Sequence, residues 1–246
     1  MITVAHVSDV HIGTSERNEH RARRVFAHLA RLPRPVDAVV VTGDIADHGA
    51  PEEYDRARAL IAALPYPVFT CPGNHDELGA YVKGLLGEEP PQGPVNRVRT
   101  AAGAVFAMCD STVPGRPGGY LADPTLQWLD AVLADAGDAP VFVCFHHPPV
   151  VIHAPYLDEM RQSGGERLAA VLDRHRNVAA VLTGHAHTPA ATTFAGRPLL
   201  IAPSVISTVT LPWEGDGLID NEPPAALAFH VLDDERRLIT HFRVVA

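Results

Sequence analysis

Lysine is almost missing from this chain. Lys83 stands alone among 20 basic residues, against 29 acidic ones, for a formal net charge of −9 in 246 residues. A surface this acidic opposes general binding to phosphate backbones, which basic surfaces drive, so nucleic acid is not an expected partner. Cysteine is scarce too. Cys71, Cys109 and Cys144 are odd in number and lack CxxC spacing, which excludes a disulfide framework and a zinc ribbon. Cys109 and Cys144 lie in apolar, strand-like runs and read as core fillers. No apolar stretch approaches the roughly 18 residues of a membrane span. A strand starting at Ile2 leaves no room for a signal peptide, so the expectation is a soluble cytoplasmic protein. Against these shortages stand 14 histidines. An acidic protein that acts on a phosphate must supply local positive charge, and bound metal meets that need better than one lysine.

The length suits one domain with a sizeable core, and without a linker, repeat or low-complexity segment residues 1–246 read as a single unit. Apolar runs at 2–8, 36–41, 67–70, 141–145 and 178–183 read as strands. Helical patterns at 17–32, 51–64, from 123, and from 163 to about 175 alternate with them. The last of these opens on Ser163-x-x-Glu166, a capping-box pattern. A short helix follows 76 and runs to about Gly87, while 95–100 and 104–109 form an antiparallel pair. From Ala190 the pattern is strands alone, at 190–194, 198–202, 205–210, 226–232 and 237–244. Strand–helix alternation followed by strands predicts two sheets packed face to face with helices outside. The first helix carries arginines 17, 21, 23, 24 and 31. They read either as a basic patch or, with Glu19 four before Arg23, as a solvated face.

Polar clusters follow five of these elements: Asp9-Val10-His11, Gly43-Asp44, Gly73-Asn74-His75-Asp76, His146-His147-Pro148 and Gly184-His185-Ala186-His187. Open α/β sheets place ligands at the carboxyl ends of strands, where these clusters lie. Asp9, His11, Asp44, Asn74, His146, His185 and His187, with His75 beside them, offer nitrogen and oxygen donors suited to Mn, Fe, Zn, Co or Ni. Seven ligands are too many for one tetrahedral ion with an open position. Two ions sharing Asp44 would leave each four protein ligands and room for water. Two divalent ions against two carboxylates and a bound hydroxide leave a small positive field, which suits a phosphodiester monoanion. His6, His28, His175, His230 and His241 read as structural.

Taken in this order, D-x-H, G-D, G-N-H-D, H-H-P-P and G-H-x-H resemble the calcineurin-like metallophosphoesterase superfamily. The spacing and Pro203-Ser204 resemble its class III cyclic nucleotide phosphodiesterase and glycerophosphodiesterase branch. The resemblance spans about residues 1–210. It implies an α/β fold, a four-layer α/β/β/α sandwich of two mixed sheets, and a centre of two divalent or mixed-valence ions, Fe/Mn ahead of Zn, Co or Ni. Asp9, His11, Asp44 and His187 would hold the first ion; Asp44, Asn74, His146 and His185 the second. His75 would act at the substrate as proton donor or transition-state stabiliser, oriented by Asp76. The role of His147 stays open. The implied activity is hydrolysis of small phosphodiesters, 3′,5′-cyclic nucleotides first, by in-line attack of a metal-bound hydroxide. Glycerophosphodiesters and 2′,3′-cyclic nucleotides follow, then a phosphomonoesterase or a non-catalytic scaffold. The loops at 111–120, 148–162 and 211–224 should set specificity. A homodimer is possible on this resemblance, though the brief C-terminal region departs from longer relatives.

Overall fold

In the computed structural model, which describes residues 1–245, three parallel strands open the chain. They are β1 (Ile2–Val7), β2 (Ala38–Thr42) and β3 (Val68–Cys71). β2 is Ala-Val-Val-Val-Thr and buried throughout, as a parallel strand covered on both faces must be. Helices α1 (Glu16–Ala30) and α2 (Pro51–Ala62) connect them. The Ser15 hydroxyl caps α1 by accepting from the Asn18 amide, and Pro51 starts α2, where its missing N–H costs nothing. α1 buries Ala22, Val25, Phe26 and Leu29 against the sheet. After β3 comes a helical turn, α3 (Leu78–Ala80), that widens into a π-helical stretch over Tyr81–Leu86.

The second half supplies β4 (Arg97–Ala101), β5 (Ala104–Met108), α4 (Asp123–Asp135), β6 (Val141–Cys144), α5 (Pro155–Asp158), α6 (Gly165–Leu172) and β7 (Val178–Thr183). Strands β8 (Ala190–Phe194), β9 (Arg197–Ile201), β10 (Thr208–Val209), β11 (Ile219–Asp220), β12 (Ala226–Leu232) and β13 (Leu238–Val244) complete the chain. One sheet runs β13-β12-β1-β2-β3, the other β4-β5-β6-β7-β9-β8, and both are mixed. Three apolar layers hold them. Helices α1 and α2 pack on the first sheet, and Leu129 and Leu133 of α4 with Leu168 and Leu172 of α6 pack on the second. Between the sheets lie Val4, Val40 and Phe69 facing Phe106, Phe142 and Leu182. The result is the expected α/β/β/α sandwich. It brings the carboxyl ends of β1, β2 and β3 against those of β6 and β7.

Four local expectations are corrected. Residues 205–210 form only a two-residue strand, β10, paired with β11 in a separate ribbon. The segment before it crosses the strand ends instead, where Ser204 Oγ accepts from the Ile206 amide. Ser163 does not cap α6; its hydroxyl donates to the Gly119 carbonyl and Gly164, in a left-handed conformation, precedes the helix. The loop at 148–162 contains α5. The α1 arginines are largely the solvated face, with Arg23 paired to Glu19, but Arg21 departs from it: it is buried and donates to the carbonyls of Ile206, Asn221 and Pro223, while Arg24 donates to Val245. Arg21 and Arg24 fasten the C-terminal segments to the first helix. No helix among the described residues is long and apolar enough to cross a membrane.

His6 and His230 lie fully buried on the face of the first sheet turned to the second. Burial drives the His230 ring down to about 3 and holds His6 well below the ordinary histidine range, so both are neutral. In the unfolded chain both titrate near about 6.5. Below that pH the unfolded state binds more protons, so stability should fall as the pH drops from about 6.5 towards about 3, with none gained above. His230→Gln should flatten this slope in urea unfolding of the metal-free protein. A slope identical to wild type would place the acid sensitivity elsewhere.

Candidate metal centre

Seven side chains converge where the two sheets' carboxyl ends meet. The first sheet brings Asp9 and His11 after β1, Asp44 after β2 and Asn74 after β3. The second brings His146 after β6, and His185 and His187 after β7. Five of them, Asp9, His11, Asp44, His185 and His187, have φ between +44° and +66°. That region costs a non-glycine residue on the order of 1 kcal/mol or more and persists only where its surroundings enforce it. Asp and His tolerate it better than most. Glycine does the rest: a Cβ on Gly73 would stand 2.2 Å from Asp44 Oδ1, and one on Gly43 would stand 2.4 Å from His146 Nδ1.

The donor atoms form overlapping groups, each with members within 4.8 Å of one another. They are Asp9–His11–His187, Asp9–Asp44–His146, His11–Asp44–His75 and His146–His147–His185. Asp44 stands between the clusters, its Oδ2 3.6 Å from His11 Nε2 and 3.2 Å from His146 Nε2. Backbone amides steady both carboxylates: His185 donates to Asp9 at 3.1 Å and His75 to Asp44 at 2.9 Å.

Most histidines are aimed by a partner on Nδ1. Asp47 takes the His11 Nδ1–H at 2.8 Å, the Thr42 carbonyl that of His146 at 2.7 Å, and Ser207 Oγ bonds His187 Nδ1 at 2.9 Å. In each case Nε2 is turned to the carboxylates, His11 and His146 to Asp44 and His187 to Asp9 at 3.4 Å, as outer partners of metal-binding histidines usually arrange, and His146 Nε2 also meets His185 Nδ1 at 3.3 Å. Sequence reasoning missed Asp47, Thr42 and Ser207; only Asp47, a second carboxylate three after Asp44, left a signal. His147 holds Asn74 rather than competing with it. Its Nε2 donates to Asn74 Oδ1 at 3.1 Å and its Nδ1 accepts from the Ser111 hydroxyl at 2.8 Å.

The charge state favours cations. Burial alone would raise the Asp9 carboxyl, but His187 and His146 beside it carry it down to about 2. Asp44 is likewise held well below its ordinary value by His146, His11 and His75. Burial opposes a charge on His146, yet Asp44 and Asp9 lift it to about 9, whereas burial beside His146 depresses His185 to about 3. His11 Nε2 and His185 Nε2 are buried without a hydrogen-bond partner. Orphaned ring nitrogens against buried carboxylates, with no thiolate in the set, fit divalent ions.

Asp76 does not orient His75. Its carboxylate accepts from the amides of Gly73, Ile45 and Ala46 and from the Tyr54 hydroxyl, tying the loop after β2 to the turn after β3. Burial, and next Asp44, raise it to about 6. The His75 ring instead donates through Nδ1 to the Asp47 carbonyl at 2.9 Å, leaving Nε2 free.

Asp44→Ala should abolish binding of at least one ion and nearly all hydrolysis, as read by metal analysis and bis(p-nitrophenyl) phosphate turnover. Asp47→Ala should weaken one ion by about 10–100-fold, the usual cost of losing an outer partner. Unchanged metal content in Asp44→Ala would sink the shared-ligand arrangement.

Residues 2–189 match the family model described as calcineurin-like phosphoesterase. A glycerophosphodiester phosphodiesterase of Enterobacter lignolyticus is 33% identical over 239 residues, 91% of this chain and 85% of that protein. A probable cyclic nucleotide phosphodiesterase of Rhodococcus erythropolis is also 33% identical, over 87% of this chain and 74% of its own length. A dimetal phosphatase from Danio rerio superposes with a TM-score of 0.73 at 18% identity, covering 100% of this chain and 96% of that one, which shows the shared fold. With the family model spanning most of its length, this chain belongs to the calcineurin-like phosphoesterases.

Proposed function

We propose that this metal-dependent phosphodiesterase hydrolyses 3′,5′-cyclic nucleotides at a centre of two ions, iron or manganese. The carrying observation is the cleft of about 440 Å³ that opens from the ligand cluster. His11, Asp44, Asn74, His185 and His187 form its floor. Tyr156, Leu157 and Met160 of the loop at 148–162 and Ile206, Val209 and Ile219 around the ribbon give it apolar walls. Among the described residues its lining holds no lysine or arginine. A dianionic monoester would want further cations there; a monoanionic diester does not. The apolar walls suit a heterocyclic base better than a charged headgroup. The relatives' names divide between cyclic nucleotides and glycerophosphodiesters, so the walls carry the choice.

Bound divalent ions would supply a nucleophile from water and neutralise charge on the phosphoryl oxygens. The protein's part is placement. Asp9, His11, Asp44 and His187 would hold one ion, and Asp44, Asn74, His146 and His185 the other. His75 borders the cleft and is partly exposed, with Nδ1 engaged by Asp47, so Nε2 is the atom that would hand a proton to the leaving alkoxide. Asn18 is buried at the start of α1, lines the same cleft and presents an amide to the non-ester part of a substrate.

Metal-reconstituted enzyme should prefer 3′,5′-cAMP over 2′,3′-cAMP, glycerophosphocholine and a monoester; preference for glycerophosphocholine would overturn this reading. His75→Ala should lose on the order of 10²–10⁴-fold in kcat on the cyclic nucleotide, the range of general acid catalysis. The loss should be far smaller on bis(p-nitrophenyl) phosphate, whose leaving group needs no proton. Equal losses at equal metal content would make His75 a charge stabiliser instead. Replacing residues 152–160 with a short Gly/Ser link should change the ranking of diesters and leave metal content intact. An unaltered ranking would move specificity to other loops.

A further inference from the structure

One buried run of hydrogen bonds starts at the edge of the first sheet and ends on a ligand. Five of its side chains, His6, Ser8, Thr42, His146 and His230, have no exposed surface. The protons each group carries fix its direction. Ser8 O–H and His146 Nδ1–H both donate to the Thr42 carbonyl, at 2.9 and 2.7 Å. With its proton committed, the Ser8 oxygen accepts from the Thr42 hydroxyl at 2.9 Å. A hydroxyl carries one proton, so Thr42 Oγ1 meets His6 Nε2, 2.8 Å away, only as an acceptor. The neutral His6 ring therefore bears its proton on Nε2. Its Nδ1 must then accept from His230 Nε2–H at 3.0 Å. His230 Nδ1 in turn accepts from the Thr240 hydroxyl on β13 at 2.9 Å.

Satisfying buried polar groups would be reason enough for such a run if it closed on itself. This one does not. It lies in a layer otherwise filled by Ile2, Val4, Val40 and Leu232, where apolar residues would need no partners at all. It crosses β13, β12, β1 and β2 in spatial order and stops at the carbonyl that fixes the His146 ring.

We propose that His6 and His230 are positioning residues for the second ion. They set the Thr42 and Ser8 hydroxyls so that the Thr42 carbonyl stays turned to His146 Nδ1–H, committing His146 to bind through Nε2. The assignment rests on the two-ion reading above. Without His6, the Thr42 hydroxyl is free to rotate, Ser8 loses the donor that orders it, and the carbonyl loses its fixed direction. The first ion's ligands lie outside this path, so the effect should fall on one ion only.

Two measurements test this. Imidazole ¹⁵N spectra of the metal-free protein should show the Nε2–H tautomer at His6 and His230 and a protonated Nδ1 at His146. An Nδ1–H tautomer at His6 would reverse the direction and overturn the proposal. Equilibrium dialysis with Mn²⁺ then reads the two ions separately. His6→Leu should weaken one ion by about tenfold, the low end for outer partners, and leave the other within about twofold. His6→Gln, which can still donate to Thr42, should recover part of the loss. Thr42→Val keeps the carbonyl and removes the hydroxyl, and should reproduce His6→Leu even if that variant folds poorly. Equal weakening of both ions, or of neither, in Thr42→Val would make the run purely structural. A wild-type protein that binds a single ion would overturn the two-ion reading itself, and this assignment with it.

Discussion

Two buried carboxylates on adjacent parallel strands set the terms for everything around them. Asp9 and Asp44 sit just past β1 and β2, nearly without exposure, and both stay ionised. An uncompensated buried charge costs several kcal/mol, so the structure must place positive charge or strong donors against each. The left-handed turns, the two glycines and the histidines arriving from the opposite sheet all serve that need. Were the pair moved to a solvent-exposed strand end, none of these devices would have a purpose.

The parts legible in the sequence were those written in short range. Asp9-x-His11 and His185-x-His187 stand just past largely apolar strands, so their location was legible, whereas their directions are set by left-handed turns at all four residues rather than by the two-residue strand period. The sandwich was legible for the same reason, because strand–helix alternation fixes which faces must be covered. What escaped depends on long-range contact. Ser207 meets His187 across 20 residues, and Thr42 acts on His146 through a backbone carbonyl that no side-chain pattern reports. Asp76 was misread because it adjoins His75 in sequence. Besides the nearby Gly73 amide, its partners are the amides 30 and 31 residues back and Tyr54, 22 residues away. The two-residue strands β10 and β11 are shorter than any periodicity can reveal.

Chemistry and selectivity are thus built from different materials. The candidate ligands are held by strand ends and doubly fixed side chains, the most constrained parts of the chain. The cleft walls come from α5, its flanking loop and a two-residue ribbon, with Arg21 clamping the carbonyls that carry the ribbon's margins. Loops on a rigid scaffold are where specificity can change at least cost to the fold. Relatives of similar identity carrying names for different diesters are what that arrangement would produce.

The candidate ligands are drawn from both sheets, three loops on one side and two on the other, and this has a mechanical meaning. Between the sheets most of the contact is apolar and non-directional, and the directional bonds that cross, from His146 to the Thr42 carbonyl, from the His185 amide to Asp9 and from His147 to Asn74, gather at the ligand end. An ion held by Asp9 and His187, or by Asp44 and His146, is a rivet through both layers at one end of the sandwich. Ions that bind only the folded chain add to its stability by mass action. Chelation would therefore remove one fastening between the layers, and the catalyst along with it.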